Sequence, residues 1–198
     1  MWILKFRVYD KDCIYATKIK KFGLQAYEQV LTNYKKNKSY YFVSAHILIG
    51  DKDSKKKYIQ AMKDDKRVQK IDVNNDIVIE LVKKKPSEVD VDAYLAGYNP
   101  EIFMTKPGFV DSDGYEYYEF ASFDRKPLEK FSKMLEKNFD FKLLNFSETK
   151  DYDLYFPRAL PKLSGKQRKS IELAMKKGYY DFKVYNWDLK YISNIEEV

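Results

Sequence analysis

The sequence predicts an α+β protein: a duplicated β-β-α-β body with mostly antiparallel sheets, followed by a C-terminal helical, helix-turn-helix-like segment. Three observations predict it. Short runs alternate apolar and polar residues, as half-buried strands do. Two segments of helical period, "SKKKYIQAMKDDK" and "KPLEKFSKMLEKNF", each fall between such runs. The order strand, strand, helix, strand then occurs twice at a spacing of about 70–75 residues, longer than solenoid repeats. The body is assigned to residues 1–150, with repeats at 1–84 and 100–149, a linker at 151–162 and the helical segment at 163–198. Helices on one face of the sheets, as in ferredoxin-like folds, are the expected packing.

Each element has its own signal. "WILKFRVYD" (Trp2–Asp10) sets Trp2, Leu4, Phe6 and Val8 against Lys5 and Arg7, a half-buried strand. Lys11–Ser39 is looser, with a short helix expected near Gln25–Asn33. "YYFVSAHILIG" (Tyr40–Gly50) is a more fully apolar strand. Ser54 is placed to cap the next helix, with Tyr58, Ile59 and Met62 inward. Asn74-Asn75 tolerates turn geometry and folds "VQKIDVNNDIVIELVKK" into two strands. Lys85–Pro100 is a polar connection between the halves. "EIFMTKPGFV" and "YEYYEFASF" flank the turn "DSDG", and Pro107-Gly108 predicts a bulge or an edge strand. Pro127 suits the first turn of the next helix, whose inner face is Leu128, Phe131, Met134 and Leu135. "FKLLNFSET" (Phe141–Thr149) closes the body.

Composition restricts the function classes. With 18 Tyr and 13 Phe the chain can bury a substantial core. The formal net charge of +7 favours an anionic partner, nucleic acid above all, over a lysine-rich surface that binds nothing. One cysteine, Cys13, excludes an internal disulfide framework, and one histidine, His46, excludes a His-rich metal site. The apolar stretch at the N-terminus is too short and too charged for a signal peptide, and no run approaches a membrane span. A cytoplasmic protein without a membrane partner is expected.

The last helix is strongly punctuated. Ser164 and Gln167 have the spacing of a capping box, Ile171, Ala174 and Met175 share a face, and Gly178 is placed to end the helix. Lys166, Arg168 and Lys169 near its start, and Lys176 and Lys177 in its last turn, are candidate phosphate contacts. "LSGKQRKSIELAMKKGYYDF" resembles the start of the archaeal helix-turn-helix domain of bacterio-opsin activator-like regulators. Leu163, Ser164, Gln167, Ile171, Ala174, Gly178, Tyr179 and Tyr180 carry the resemblance. The N-terminal body is similar to the sensor-like region of archaeal relatives with this architecture. The resemblance implies binding of double-stranded DNA, a homodimer and a small-molecule effector. The family continues with an aromatic-Pro-Arg stretch, whereas here Lys183 follows Phe182, and the sequence stops at Val198 before a recognition helix. The expected segment is therefore a partial helix-turn-helix.

Other sites are weaker. Asp10, Asp12 and Cys13 are too few for a metal site, and "DSDG" lacks the later ligands of a calcium loop. His46, inside an apolar strand, reads as a core histidine. The aromatic clusters "YYFV", "YEYYEF" and "GYYDFKVY" lack the RNP consensus of base-stacking RNA binders. No catalytic constellation and no cofactor motif is present. Shifted carboxylates converging around Asp10, Asp12, Asp111 or Asp113 would revive an enzyme. The expected function is transcriptional regulation. The alternative is a ligand-binding or dimerising module with an incomplete DNA-binding end, acting through a partner protein.

Overall fold

The computed structural model of the chain describes residues 1–88, 98–150 and 164–176. It is mixed α and β. The elements are β1 (Trp2–Tyr9), α1 (Ile14–Phe22), β2 (Gln25–Lys36), β3 (Ser39–Ile49), α2 (Lys52–Lys63), β4 (Val68–Asn74), β5 (Ile77–Lys84), β6 (Phe103–Met104), β7 (Gly108–Val110), β8 (Glu116–Ser122), α3 (Arg125–Asn138), β9 (Asp140–Glu148) and α4 (Gly165–Lys176), with a 3-10 turn at Pro86–Glu88. The chain divides into two compact units, Met1–Tyr155 and Phe156–Val198.

Among the described residues, nine strands form one sheet in the order β4-β5-β3-β2-β7-β8-β1-β9, with β6 paired to β8. The pairings are antiparallel. The join between the β2–β5 side and the β7–β9 side is short, pairing Ala26 with Val110, Tyr27 with Phe109 and Glu28 with Gly108. Directly opposed residues share a face. Val8 opposes Glu116, Glu116 opposes Val110, and Val110 opposes Ala26, so these residues all point one way. That face is covered by helices. Ile14, Ala16 and Ile19 of α1 and Tyr58 and Met62 of α2 pack with Ala26, Leu48, Val78 and Val82. Leu128, Phe131 and Leu135 of α3 pack with Leu4, Phe6 and Val8. The helices thus close two separate cores and leave the middle of the sheet between them.

Several local expectations are corrected. Gln25–Lys36 is a strand, not a helix at Gln25–Asn33, and the unassigned stretch before it contains α1. Helix α2 starts at Lys52 because Asp51, not Ser54, caps it, accepting bonds from the Asp53 and Ser54 N–H groups at 3.0 and 2.9 Å. Strand β7 lies between β2 and β8 rather than at an edge. Pro107 has no N–H to give a ladder, which separates β6 and β7 into two short strands against the same neighbour. The linker at 151–162 lies outside the described residues.

Candidate carboxylate cleft

The middle of the helix-covered face carries charge where a core would carry methyl groups. Glu28 is on β2, His46 on β3, Glu80 on β5 and Glu116 on β8. Their exposures are 2%, 0%, 1% and 5%. Register explains their convergence: Glu28 opposes His46 and Gly108, and Ser44 next along β3 opposes Glu80. Gly108 is required by a close approach. A Cβ there would stand 2.5 Å from Tyr118 Cε1, so the glycine lets the Tyr118 ring lie over the β2–β7 join.

Two hydroxyls tie the carboxyls together. Tyr15 Oη donates to Glu116 Oε2 at 2.7 Å and lies 3.3 Å from Tyr118 Oη. Tyr118 Oη contacts both Glu28 Oε1 and, at 2.8 Å, Glu116 Oε2. A phenol has one proton to donate. It can satisfy one of those carboxyls, so its contact with the other requires a proton from the carboxyl itself. The electrostatics agree. Burial, and then the charge of Glu28, push Glu116 up to about 8. Burial also raises Glu28, against the opposing pull of His46 and the two tyrosines. Among the described residues, neither carboxyl forms an ion pair.

Glu80 does have a cation. Its Oε1 lies 2.9 Å from His46 Nε2, with both side chains fully buried. At that distance His46 serves Oε1, whereas Glu80 Oε2 lacks a hydrogen-bond donor. Burial pulls His46 down, but the nearby Glu80 outweighs it and leaves the imidazole above its usual range. The Tyr58 hydroxyl is 3.4 Å from His46 Nδ1, and the Tyr15 ring meets the imidazole edge-on at 4.6 Å.

A cavity of about 220 Å³ opens beside this cluster, lined by Glu80 and Glu116 together with Asp10, Tyr15, Phe42 and Tyr98. It adjoins a groove of about 720 Å³ that shares Val8, Tyr15, Val30 and Tyr98 with it. Burial pushes the thiol of Cys13 and the hydroxyls of Tyr15, Tyr58 and Tyr118 upward, so these groups are neutral at physiological pH. The arrangement offers hydrogen bonds, aromatic faces and carboxyls, but no activated nucleophile.

The residues singled out from the sequence are distributed differently. Asp10 reaches the cavity wall, and its Oδ1 also accepts the Asp12 N–H at 2.8 Å in the turn before α1. Asp111 organises the β7–β8 turn, accepting the Asp113 and Tyr115 N–H groups at 2.9 and 3.0 Å. Among the described residues, no three His, Cys, Asp or Glu side chains form a metal-binding group. Of the candidate phosphate contacts, Lys166 and Lys169 are exposed on α4. The side chains of Arg168 and Lys176 and all of Lys177 lie outside the described residues. The capping box is present: the Ser164 N–H donates to Gln167 Oε1 at 2.8 Å, and the Gln167 N–H to Ser164 Oγ at 3.3 Å. Among the described residues, no helix is long and apolar enough to cross a membrane.

Sequence reasoning missed Glu28, Glu80 and Glu116. The available signal was phase. Glu80 stands between Val78 and Val82, and Glu28 between Ala26 and Val30, at positions where alternation puts side chains inward. The chain matches no protein-family model, and no curated protein is significantly similar to it.

Proposed function

We propose that the chain is a transcriptional regulator whose sheet body senses a small effector in the carboxylate cleft and whose C-terminal segment contacts double-stranded DNA. The observation that carries the reading is the cleft. Buried carboxyls without ion-pair partners are costly, and they surround a cavity between two cores where a solid interior would be more stable. The body is read as two β-β-α-β repeats, β2-β3-α2-β4 and β7-β8-α3-β9. Strand β1, which falls in the 1–84 repeat by sequence, departs from that division, because it lies between β8 and β9 on the other side of the β2–β7 join. The cleft then lies where the repeats meet.

DNA contact rests on the resemblance to bacterio-opsin activator-like regulators, and the net charge of +7 is compatible with it. Lys166, Arg168, Lys169, Lys176 and Lys177 are assigned to phosphates, which position a protein without specifying sequence. Titrating the full chain with a fluorescent duplex at rising salt tests this. Affinity should fall with a log–log slope approaching about −4.5 if all these side chains reach phosphates. Salt-independent binding, or none at low salt, would remove DNA from the reading.

Among the described residues, no helix covers the second face of the sheet, and that face favours a second property, self-association. Ile77 opposes Ile47, Ile47 opposes Tyr27, and Tyr27 opposes Phe109. Ile77, Ile47 and Tyr27 are exposed by 43%, 49% and 48%. An apolar row of this kind suits an isologous dimer. Light scattering should give twice the chain mass, with Ile47→Lys returning a monomer. A wild-type monomer at all concentrations would reject it.

A further inference from the structure

We propose that the cleft binds an organic cation with an apolar body, exchanging it for the proton held in the chain Glu28–Tyr118–Glu116. The proposal rests on the reading of the cleft as an effector site and names the chemistry of the effector. Three independent features point to a cation.

The first is the hydrogen count. Tyr118 has one proton for two carboxyl contacts, and Tyr15 already donates to Glu116 Oε2 at 2.7 Å. The pair is therefore completed by one further proton, the smallest cation available. The second is Glu80, 1% exposed and lining the cavity, with no hydrogen-bond donor at Oε2. His46 faces Oε1 at 2.9 Å and leaves Oε2 open. The third is the wall. Tyr15, Phe42, Tyr98 and Phe139 present aromatic rings beside the carboxyls. Ring faces attract cations, and more strongly away from water. An anion would meet Asp10, Glu80 and Glu116 on the cavity wall, with Lys84 there to offset them.

The exchange balances. The proton shared by Glu28 and Glu116 leaves for solvent, both carboxyls become anionic, and the ligand's positive charge replaces it. No covalent bond forms. The groups facing the pair are Asp10 before α1, Cys13 and Tyr15 at the start of α1, His46 on β3, Tyr58 on α2, Glu80 and Lys84 on β5, and Tyr118 on β8. Cys13, Tyr15, Tyr58 and Tyr118 are held neutral by burial. Burial first, and then the charge of the neighbouring carboxyl, keep the proton on Glu116, and a ligand cation beside it offsets both.

Calorimetric titration of the full chain with benzyltrimethylammonium, benzyl alcohol and benzoate separates the outcomes. The ammonium should bind, and its affinity should rise by up to tenfold per pH unit from pH 6 until it levels near pH 8. Glu116→Gln and Glu28→Gln should each weaken it by tenfold or more and flatten the pH dependence. Tighter binding of benzoate or benzyl alcohol at the cleft overturns the cation while leaving effector sensing in place. Ammonium binding unchanged in both variants overturns the cleft as its site. Binding by none of the probes overturns the cation proposal, and a salt-dependent DNA titration would then still uphold the regulator.

Discussion

His46→Leu is expected to destabilise the body by about 3–5 kcal/mol, the cost of leaving a buried charge without its partner. Glu80 and His46 have fully buried side chains 2.9 Å apart. Their attraction offsets the desolvation of both, but it stabilises the fold little beyond that. Leucine fills most of the imidazole volume, so the expected loss is electrostatic rather than a packing defect. It leaves the Glu80 carboxylate buried without the imidazole 2.9 Å away that offsets it. The double variant His46→Leu/Glu80→Leu removes the stranded charge and extends the apolar core. It should recover most of the loss and equal the wild type to within about 1 kcal/mol. Urea denaturation at pH 7 on all corners of the cycle measures this, with unchanged slopes showing that the same surface is exposed. A single variant within about 1 kcal/mol of wild type, or a double variant no better than the single, would mean that the pair is not the electrostatic unit described.

Which parts of this architecture were readable follows from the same physics. Strand β1 was legible because Leu4, Phe6 and Val8 are buried while Lys5 is exposed, although Ile3 is buried on the opposite face. Helix α3 was legible because Leu128, Phe131 and Leu135 recur at helical spacing over a long element. Helix α1 was not. It has only 9 residues, and its cap residue Cys13 makes no side-chain capping bond, so no start signal is written in the sequence. Strand β2 was misread for two reasons. Its register shifts between Val30 and Thr32, which breaks the alternation, and Glu28 occupies an inward position where a strand pattern calls for an apolar residue. The same departure hid the cleft. A glutamate in a strand usually faces water, so Glu28, Glu80 and Glu116 read locally as surface. Glu28 and Glu116 come together through the three-residue β2–β7 ladder that joins the two halves, and no local pattern encodes that pairing.

Glu116→Gln should stabilise the body at pH 8 by about 4 kcal/mol and remove the part of the stability lost between pH 5 and pH 8 that belongs to this carboxyl. Glu116 binds its proton up to about 8 in the fold, against a usual value of 4.5. Below the usual value both folded and unfolded chains are protonated, and the group contributes nothing to the pH dependence. As pH rises, the unfolded chain ionises first and gains stability that the folded chain forgoes. The deficit grows until about pH 8, where the folded carboxyl also ionises, and then stays constant. Glutamine imitates the protonated acid throughout. Both tyrosine hydroxyls contact the same oxygen, Oε2, and the glutamine carbonyl oxygen in its place still accepts from Tyr15 without carrying charge. Stability curves of wild type and variant should therefore converge toward pH 4.5 and separate steadily to pH 8. His46, raised above its usual range, adds a second loss of the same sign as pH rises, and that slope remains in the variant. A gap that does not change with pH would mean that Glu116 is already ionised in the fold. A variant less stable than wild type at pH 8 would mean that the charged carboxylate holds the sheet together, and the shared proton would then have no role in the cleft.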